Sequence, residues 1–429
     1  MENQSHINAK PFLLQPSSYQ VWMQALARLL YQAGYGNFQF FIPLIFVNQL
    51  GFSATVVGIS VASGSLTGIL GHFLSGYLVD SPKYGRKQTL LFSAEVSIVG
   101  AVVLAVRPNL SMLIIANLLI GLGAGFYWTA ADASVIDVTP REQRQKAFAI
   151  LTLADNLGGG LGILGGGILL SQVAQVQTLF LISGIILLAF LILIQITLKE
   201  TRPQDVTEHS DSEILQGFAL AVRDKSLQLF AIVNVLFTTY IALVNSTIPL
   251  YFTNYVGNAI PQATLKVEAS LISVANLYTW CYIGIGTVLQ FPLVQILSSF
   301  LNVRVLMISM LLWGGGFFLV WSAHLDPSIS FFAMIVAFGV LSSASAIYKP
   351  FAPAIIAEIA PESLRGVYLA ISYQCWSIGY FIGPSLGGWA MDRAPIAHLL
   401  WIGTALSTLF GIVMLYVLNQ RQNSNHLIP

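Results

Sequence analysis

The sequence predicts an all-α polytopic membrane protein of twelve transmembrane helices, arranged as two pseudo-symmetric six-helix bundles. Three observations lead there. The chain is 56% hydrophobic and 9% charged, whereas soluble domains run near 25% charged. Twelve apolar runs are each long enough to cross a bilayer, which takes about 20 residues. The chain also repeats itself. Gly158, Gly162, Gly166 and Gly167 recur 221 positions later as Gly379, Gly383, Gly387 and Gly388, and the same offset carries Pro140 onto Pro361 and Arg144 onto Arg365. Matches at one offset are the signature of duplicated architecture.

The first bundle covers 1–198, with spans at 20–48, 55–80, 88–107, 110–138, 146–171 and 177–198. Span one carries Gln24, Arg28, Gln32, Tyr35 and Gln39 within about 40° of one line at helical spacing, and its other face is apolar. A polar stripe of that length suits a helix bordering a water-filled cavity; a polar seam buried between helices is the competing reading. Span two carries His72 and span three Glu95, the latter close enough to its end to snorkel. Span four holds Trp128 and Asp132, and span five holds Asp155.

Residues 199–226 form the longest polar gap and are read as a cytoplasmic central linker, acidic at Glu200, Asp205, Glu208, Asp211 and Glu213. Ile214–Phe230 has the apolar spacing of a short surface helix leading into span seven. The second bundle covers 227–429, with spans at 227–253, 270–298, 303–323, 328–357, 366–392 and 396–418. Ile248-Pro249-Leu250 in span seven echoes Ile42-Pro43-Leu44 in span one. Fourteen Lys and Arg fall on the side holding both termini and the linker, against Arg107, Lys266 and Arg393 on the other. The positive-inside rule therefore places both termini in the cytoplasm, in a plasma (bacterial inner) membrane.

The segment Asp155–Gly167 is the densest in glycine. Gly158, Gly162 and Gly166 recur every four residues and form one smooth helical stripe. Each costs about 1 kcal/mol relative to Ala in a helix, but small residues let membrane helices approach closely. Asp155 lies within about 60° of the stripe, and Trp376 replaces it in the second copy.

Several classes drop out. A net charge of +1 gives no basis for nucleic-acid binding. The first 19 residues lack a signal-peptide pattern, so span one is expected to serve as the insertion signal. Cys281 and Cys375 lie in apolar runs and imply neither a disulfide framework nor a metal site. No phosphate-binding G-x-x-x-x-G-K-[ST] loop and no H-E-x-x-H occurs. The chain is therefore expected not to be an enzyme and to need no cofactor or metal. Uphill transport would draw on a proton gradient. One proton falling through about 100 mV and one pH unit releases about 3.7 kcal/mol, a roughly 500-fold concentration ratio for a neutral solute.

Motifs sharpen the fold. After span two come Gly76-Tyr77-Leu78-Val79-Asp80 and then Gly85-Arg86-Lys87. This resembles the loop motif G-x-L-x-D-R-x-G-R-K of the major facilitator superfamily, with two extra residues before the second Gly and Lys83 near the place of the first Arg. Span four has Asn117-x-x-x-Gly121-x-Gly123-x-Gly125, similar to the family's R-x-x-x-G-x-G-x-G but with Asn for the Arg associated with proton coupling. Span five resembles g-x-x-x-G-P-x-x-G-G of the drug–proton antiporter branch, with Ile163 at the Pro position; the Pro stands in the second copy as Pro384. The resemblance covers about residues 20–418. It implies that Gly76, Asp80, Gly85, Arg86 and Lys87 form a conformational latch; positive-inside anchoring is the alternative. It also implies that span five faces span eight and span eleven faces span two, so that the glycine stripes, with Pro384, form the seams along which the halves rock.

Arg28, Asp132 and Asp155 lie at comparable depth, Arg28 about 12 Å in from the terminal side. In the resembled fold spans one, four and five are neighbours. An unpaired charge at this depth costs from about 3 to more than 10 kcal/mol. Arg28 is therefore expected to pair with Asp132, Asp155 or both, either as the proton-binding site or as a permanent structural ion pair. Lys349 in span ten is the main charge of the second bundle, placed to attract an anionic group or to pair with a carboxylate across the cavity. Asn234, Thr238 and Asn245 give span seven a polar face, and Trp128, Tyr373, Gln374 and Trp376 offer aromatic and polar walls. The substrate and proton pathway is thus read as Arg28, Gln32, Tyr35, Gln39, Trp128, Asp132, Asp155, Asn245, Lys349 and Gln374.

The functional expectation is a monomeric secondary transporter in the lipid bilayer, working by alternating access as an antiporter, with proton-coupled multidrug efflux of amphipathic compounds as its activity. Import or facilitated passage of a small, anionic metabolite held by Arg28 and Lys349 is the first alternative. A non-transporting receptor or assembly factor of the same fold is the second.

Overall fold

A computed structural model describes residues 16–81, 83–140, 143–173, 175–201, 218–256, 274–326, 328–361 and 364–425. Among them are twelve long helices and no strand. The first six are α1 (Pro16–Leu44), α2 (Ala54–Asp80), α3 (Gly85–Val106), α4 (Leu110–Val138), α5 (Arg144–Gln172) and α6 (Val176–Thr197). The second six are α7 (Lys225–Tyr251), α8 (Val274–Leu297), α9 (Asn302–Ser322), α10 (Ser330–Ile359), α11 (Arg365–Met391) and α12 (Ala394–Asn425). Ten are long and apolar enough to cross a membrane by composition; α1, which carries the polar stripe, and α11 fall short of that measure.

The ends follow local chemistry. Ser53 caps α2 by accepting from the Val56 N–H, and Asn109 caps α4 by accepting from the Met112 N–H. The expected surface helix is broken at Asp224, whose side chain accepts from the Ser226 N–H and starts α7 afresh. The linker acids Asp205, Glu208, Asp211 and Glu213 lie outside the described residues. The echo of Pro43 and Pro249 has a structural counterpart. In both α1 and α7 the proline sits near the end of the α-helix, and a π-helical turn follows (Ile45–Gln49, Phe252–Val256). Proline removes a backbone donor, and a wider turn re-registers the ladder.

The two halves repeat one packing scheme. In the first, α1 packs on α5, α2 on α4, and α3 on α4 and α6. In the second, α7 packs on α11, α8 on α10, and α9 on α10 and α12. The α2–α4 contact is close because glycines meet: a Cβ on Gly121 would stand 1.9 Å from the Gly64 carbonyl oxygen. Contacts between halves run along α2 and α11, between α1 and α7, and between α5 and α8. On the face opposite the termini the halves are tightly closed. A Cβ on Gly388 would stand 2.2 Å from the Ala54 carbonyl oxygen, and one on Gly58 2.2 Å from that of Pro384. Beside them Asp392, just past α11, accepts hydrogen bonds from Ser53 Oγ (2.6 Å) and from the backbone N–H groups of Ala54 and Thr55 (both 2.8 Å).

The pairing of α5 with α8 and of α11 with α2 agrees with the expected seams, but most of the repeated glycines are not on them. Gly158 and Gly162 lie against the backbone of α1, where a Cβ would meet the carbonyl oxygens of Leu29 and Ala33 at 2.3 Å. Gly166 meets Asn37 and Phe41 of the same helix. In the second half Gly379, Gly383 and Gly387 face Thr238, Ala242 and Thr247 of α7. Each stripe is thus a packing face inside its own half, and Gly167 is buried beside the first. The seams use Gly160 against Thr279, and Gly388 and Pro384 against α2.

Candidate functional site

The glycine stripe sets the site. Because α1 and α5 touch at Gly158 and Leu29, Arg28 and Asp155 are brought within reach one turn away. The Arg28 guanidinium donates to Asp155 Oδ2 at 3.0 Å through Nη1 and to Asp132 Oδ1 through Nη2. Its planar fork suits two carboxylates at once. The guanidinium also lies 5.6 Å over the Trp128 ring, a cation–π contact. Arg28 is 5% exposed, so the pairing that the sequence demanded is met on both sides. One positive charge faces two negative ones, and Asp155 Oδ1 is buried without a hydrogen-bond partner. The cluster therefore sets one guanidinium against two carboxylates and keeps a free acceptor.

Asp132 reaches the other half. The Tyr373 hydroxyl, from α11, donates to Asp132 Oδ2 at 3.1 Å. His72 on α2 stacks on the Tyr373 ring at 6.2 Å, and its Nδ1 lies 3.1 Å from Thr129 Oγ1. His72 is thus a packed histidine at the seam.

Further along α1, Gln39 donates to Tyr35 Oη at 3.1 Å, and both side chains face Tyr380 of α11. Asn245 joins three helices: it donates to Tyr380 Oη at 2.9 Å and accepts from the Tyr278 hydroxyl at 2.6 Å. Gln32 and Gln374 are half-buried; Gln374 Oε1 is buried without a partner. Asn234 and Thr238 are structural: Asn234 donates to Ser372 Oγ at 3.0 Å and Thr238 to the Cys375 carbonyl at 2.9 Å, tying α7 to α11.

Lys349 stands apart from the Arg28 cluster. Protein surrounds it, yet its side chain is open to solvent, as befits the wall of an open cavity. It lines a recess with Asn156, Tyr282, Gln290, Ser342 and Ser345, and it lies within electrostatic reach of Asp155. Both terminal nitrogens of Arg28 are held by carboxylates, and its Nε is buried without a partner. Glu95 is exposed.

The loop cluster after α2 is a network within the first half. Arg86 Nε donates to Asp137 Oδ2 at 2.8 Å, tying α3 to α4. The Glu200 carboxylate accepts from the backbone N–H groups of Arg86 (3.0 Å) and Lys87 (3.1 Å), capping α3, and Lys87 Nζ donates to the Gln195 carbonyl at 2.8 Å. Gly85 has φ +75°, the left-handed conformation that favours glycine. Gly76, expected to belong to the latch, lies inside α2, with nothing near its Cβ position. The side chain of Asp80 lies outside the described residues.

Sequence reasoning missed Tyr278, Tyr380, Asp137 and Asp392, and gave Tyr373 and Glu200 no bonding role. A part-buried amide such as Asn245 within a span needs partners, which was the available signal for the two tyrosines. Asp392 left only the trace of a Ser-Ala-Thr helix start at 53–55.

The family model of the Major Facilitator Superfamily matches residues 25–259 and 230–427. A Na(+), Li(+), K(+)/H(+) antiporter of Planococcus maritimus is 23% identical over 365 residues, 80% of this chain and 83% of that one. A multidrug resistance protein, MdtH of Aeromonas hydrophila, is 25% identical over 402 residues, 92% of this chain and 94% of that one. The solved structure of a bacterial homologue of the human drug peptide transporters PepT1 and PepT2 superposes with a TM-score of 0.74 at 14% identity, over 95% of this chain and 99% of that one. Two packed six-helix halves, closed on one face around a buried charge cluster, thus coincide with a family match over nearly the whole chain, and the chain belongs to the major facilitator superfamily of membrane transporters.

Proposed function

We propose that this secondary transporter couples proton entry to the export of amphipathic organic compounds across the bacterial inner membrane, with both termini in the cytoplasm. The observation that carries the reading is the Arg28–Asp132–Asp155 cluster. Two carboxylates share one guanidinium and one carboxylate oxygen is without a partner, so a proton and the cationic group of a substrate can compete for one site. Trp128 beside the cluster and the aromatic and amide groups further along α1 (Tyr35, Gln39, Asn245, Tyr380) suit loosely specified amphiphiles. The names of the multidrug and antiporter relatives support the same direction.

The test is export of lipophilic dyes from an efflux-deficient host and from vesicles with an imposed proton gradient, with Asp132→Asn and Asp155→Asn as variants. Loss of gradient-driven export in at least one variant is expected. If transport and proton flux persist in both, the proton site lies elsewhere. The solvent-open Lys349 favours the alternative of a small anionic metabolite. Exchange of one carboxylate metabolite with indifference to cationic dyes would establish that reading instead. The non-transporting alternative rests on the altered loop motif after span two and on Asn117 at the span-four Arg position; a stable partner with no measurable flux would favour it.

A further inference from the structure

Among the described residues, hydrogen bonds join the halves at the Asp392 clamp on the face opposite the termini and at the bond from Tyr373 to Asp132 nearer the terminal face, and between them the Gln39 amide faces the Tyr380 hydroxyl. The Tyr373 bond differs in kind because its acceptor belongs to the charge cluster. We propose that Tyr373 is the positioning residue through which the second half senses the charge of Asp132. The proposal rests on the reading of the Arg28 cluster as the proton and substrate site.

The geometry carries it. Asp132 divides its two oxygens between the halves, Oδ1 to Arg28 of α1 and Oδ2 to Tyr373 of α11. An ionised carboxylate is acceptor-only, so it holds both donors at once. Such a charge-assisted bond is about twice as strong as a neutral one. A proton placed on Oδ2 turns that oxygen into a donor facing the Tyr373 hydroxyl, which must then rotate or leave. A proton on Oδ1 displaces Arg28 and removes the charge assistance from the tyrosine bond. Either way the link weakens when the cluster gains a positive charge, and a cationic substrate that draws Arg28 aside acts in the same sense. The groups facing this link are Arg28 from α1, His72 from α2, Asp155 from α5 and, beyond Asp155, Lys349 from α10. His72 flanks the phenol, its ring centroid 6.2 Å from that of Tyr373 and its plane within 21°. Tyr373 is 43% exposed, and Asp132 is its one described hydrogen-bond partner.

The test uses the full chain in liposomes, with the proton as the only ligand. Spin labels are placed at Ile136→Cys on α4 and Ala357→Cys on α10, both exposed near the terminal face, with Cys281 and Cys375 replaced by Ala. The distance distribution is recorded from pH 8 to pH 5. The reference protein is expected to shift between two distances as pH falls. Tyr373→Phe, which removes one oxygen atom, is expected to lose at least half of that shift and to resemble the low-pH distribution already at pH 8. In Asp132→Asn, adding Tyr373→Phe should change nothing further. A Tyr373→Phe protein with the full pH-dependent shift overturns the proposal, as does an undiminished Tyr373→Phe effect on the Asp132→Asn background. The cluster reading fails separately: if Asp132→Asn and Asp155→Asn both keep the full shift, the proton acts elsewhere and the Tyr373 proposal falls with it. If Asp132→Asn abolishes the shift and Tyr373→Phe leaves it intact, only the Tyr373 proposal falls.

Discussion

Gly158→Ala tests whether the glycine stripe serves the charge cluster rather than a sliding seam. The added Cβ would stand 2.3 Å from the Leu29 carbonyl oxygen and 2.9 Å from the Leu29 carbonyl carbon and Cα. Real Cβ atoms essentially never approach closer than 3.0 Å, so α5 must move from α1 by at least about 0.7 Å, the difference between 3.0 and 2.3. Leu29 adjoins Arg28, and Asp155 is one turn from Gly158, so the displacement falls directly on the ion pair. A 3.0 Å bond between Arg28 and Asp155 stretches to about 3.7 Å, outside hydrogen-bonding range. Losing a hydrogen bond to a charged group costs about 1.5–3 kcal/mol, which corresponds to roughly 10- to 100-fold in an equilibrium or a rate. Initial rates of proton-driven dye export in vesicles, normalised to membrane-inserted protein, measure this. Gly159→Ala and Gly165→Ala are the controls, since nothing lies within 4 Å of either Cβ position. Both should match the parent or gain slightly, Ala being the better helix former by about 1 kcal/mol. If Gly158→Ala transports within twofold of the parent, the close approach of α1 and α5 does not position the cluster.

Other outcomes follow from the same contacts. Arg28→Met should lower thermal stability, since breaking a buried pair leaves uncompensated charge worth about 3–5 kcal/mol; the triple change Arg28→Met, Asp132→Asn, Asp155→Asn should recover most of that stability in a melting assay without recovering transport. Recovery of both would make the cluster purely structural. Arg28→Lys should also fail in transport, because a point charge cannot span two carboxylates as a planar fork does. Burial pushes the Asp392 carboxyl up, but bonds from Ser53, Thr55 and Ala54 outweigh it and hold the group below its ordinary value. The clamp is therefore complete above the unfolded value of 3.8 and is lost as pH falls through the lowered folded value, so in cysteine-accessibility measurements at neutral pH the clamp holds; Asp392→Asn should raise labelling at Val57→Cys there. Lys349→Met should leave cationic-dye export within about threefold while abolishing inhibition by carboxylate-bearing compounds, a contrast that Lys349→Arg should not show.

How much of this was legible in the sequence depended on whether a constraint was local or distant. Helix number and the two halves followed from hydropathy and a 221-residue repeat, because a bilayer forces each span to satisfy its own backbone. The Arg28 pairing followed from cost alone: a charge at that depth requires a partner, and two carboxylates stood at matching depth. The glycine stripe was recognised but given the wrong partner. Spacing of four says that a face is smooth, and it does not say which helix lies against it; both α1 and α8 border α5, and only the three-dimensional packing gives the stripe to α1 and leaves Gly160 to α8.

The least legible residues were those bonded across the halves. Tyr373 read as one aromatic wall residue among several, and Asp392 as one polar residue at the edge of a span, because their partners lie 241 and 337–339 positions away and share no motif with them. The repeat explains why no internal signal pointed to them. Contacts within each half occur twice, as α1 on α5 and α7 on α11, so the sequence writes them twice. Between the halves the helix pairs also recur, as α2 on α11 and α5 on α8, but the bonds across them do not: the Tyr373 counterpart 221 positions earlier is Thr152, which bonds to the Phe148 carbonyl of its own helix. The asymmetry has a physical consequence. The first half holds the charges Arg28, Asp132 and Asp155, and the second supplies neutral donors and Lys349, so the two bundles share a scaffold while dividing the labour of charge and response between them.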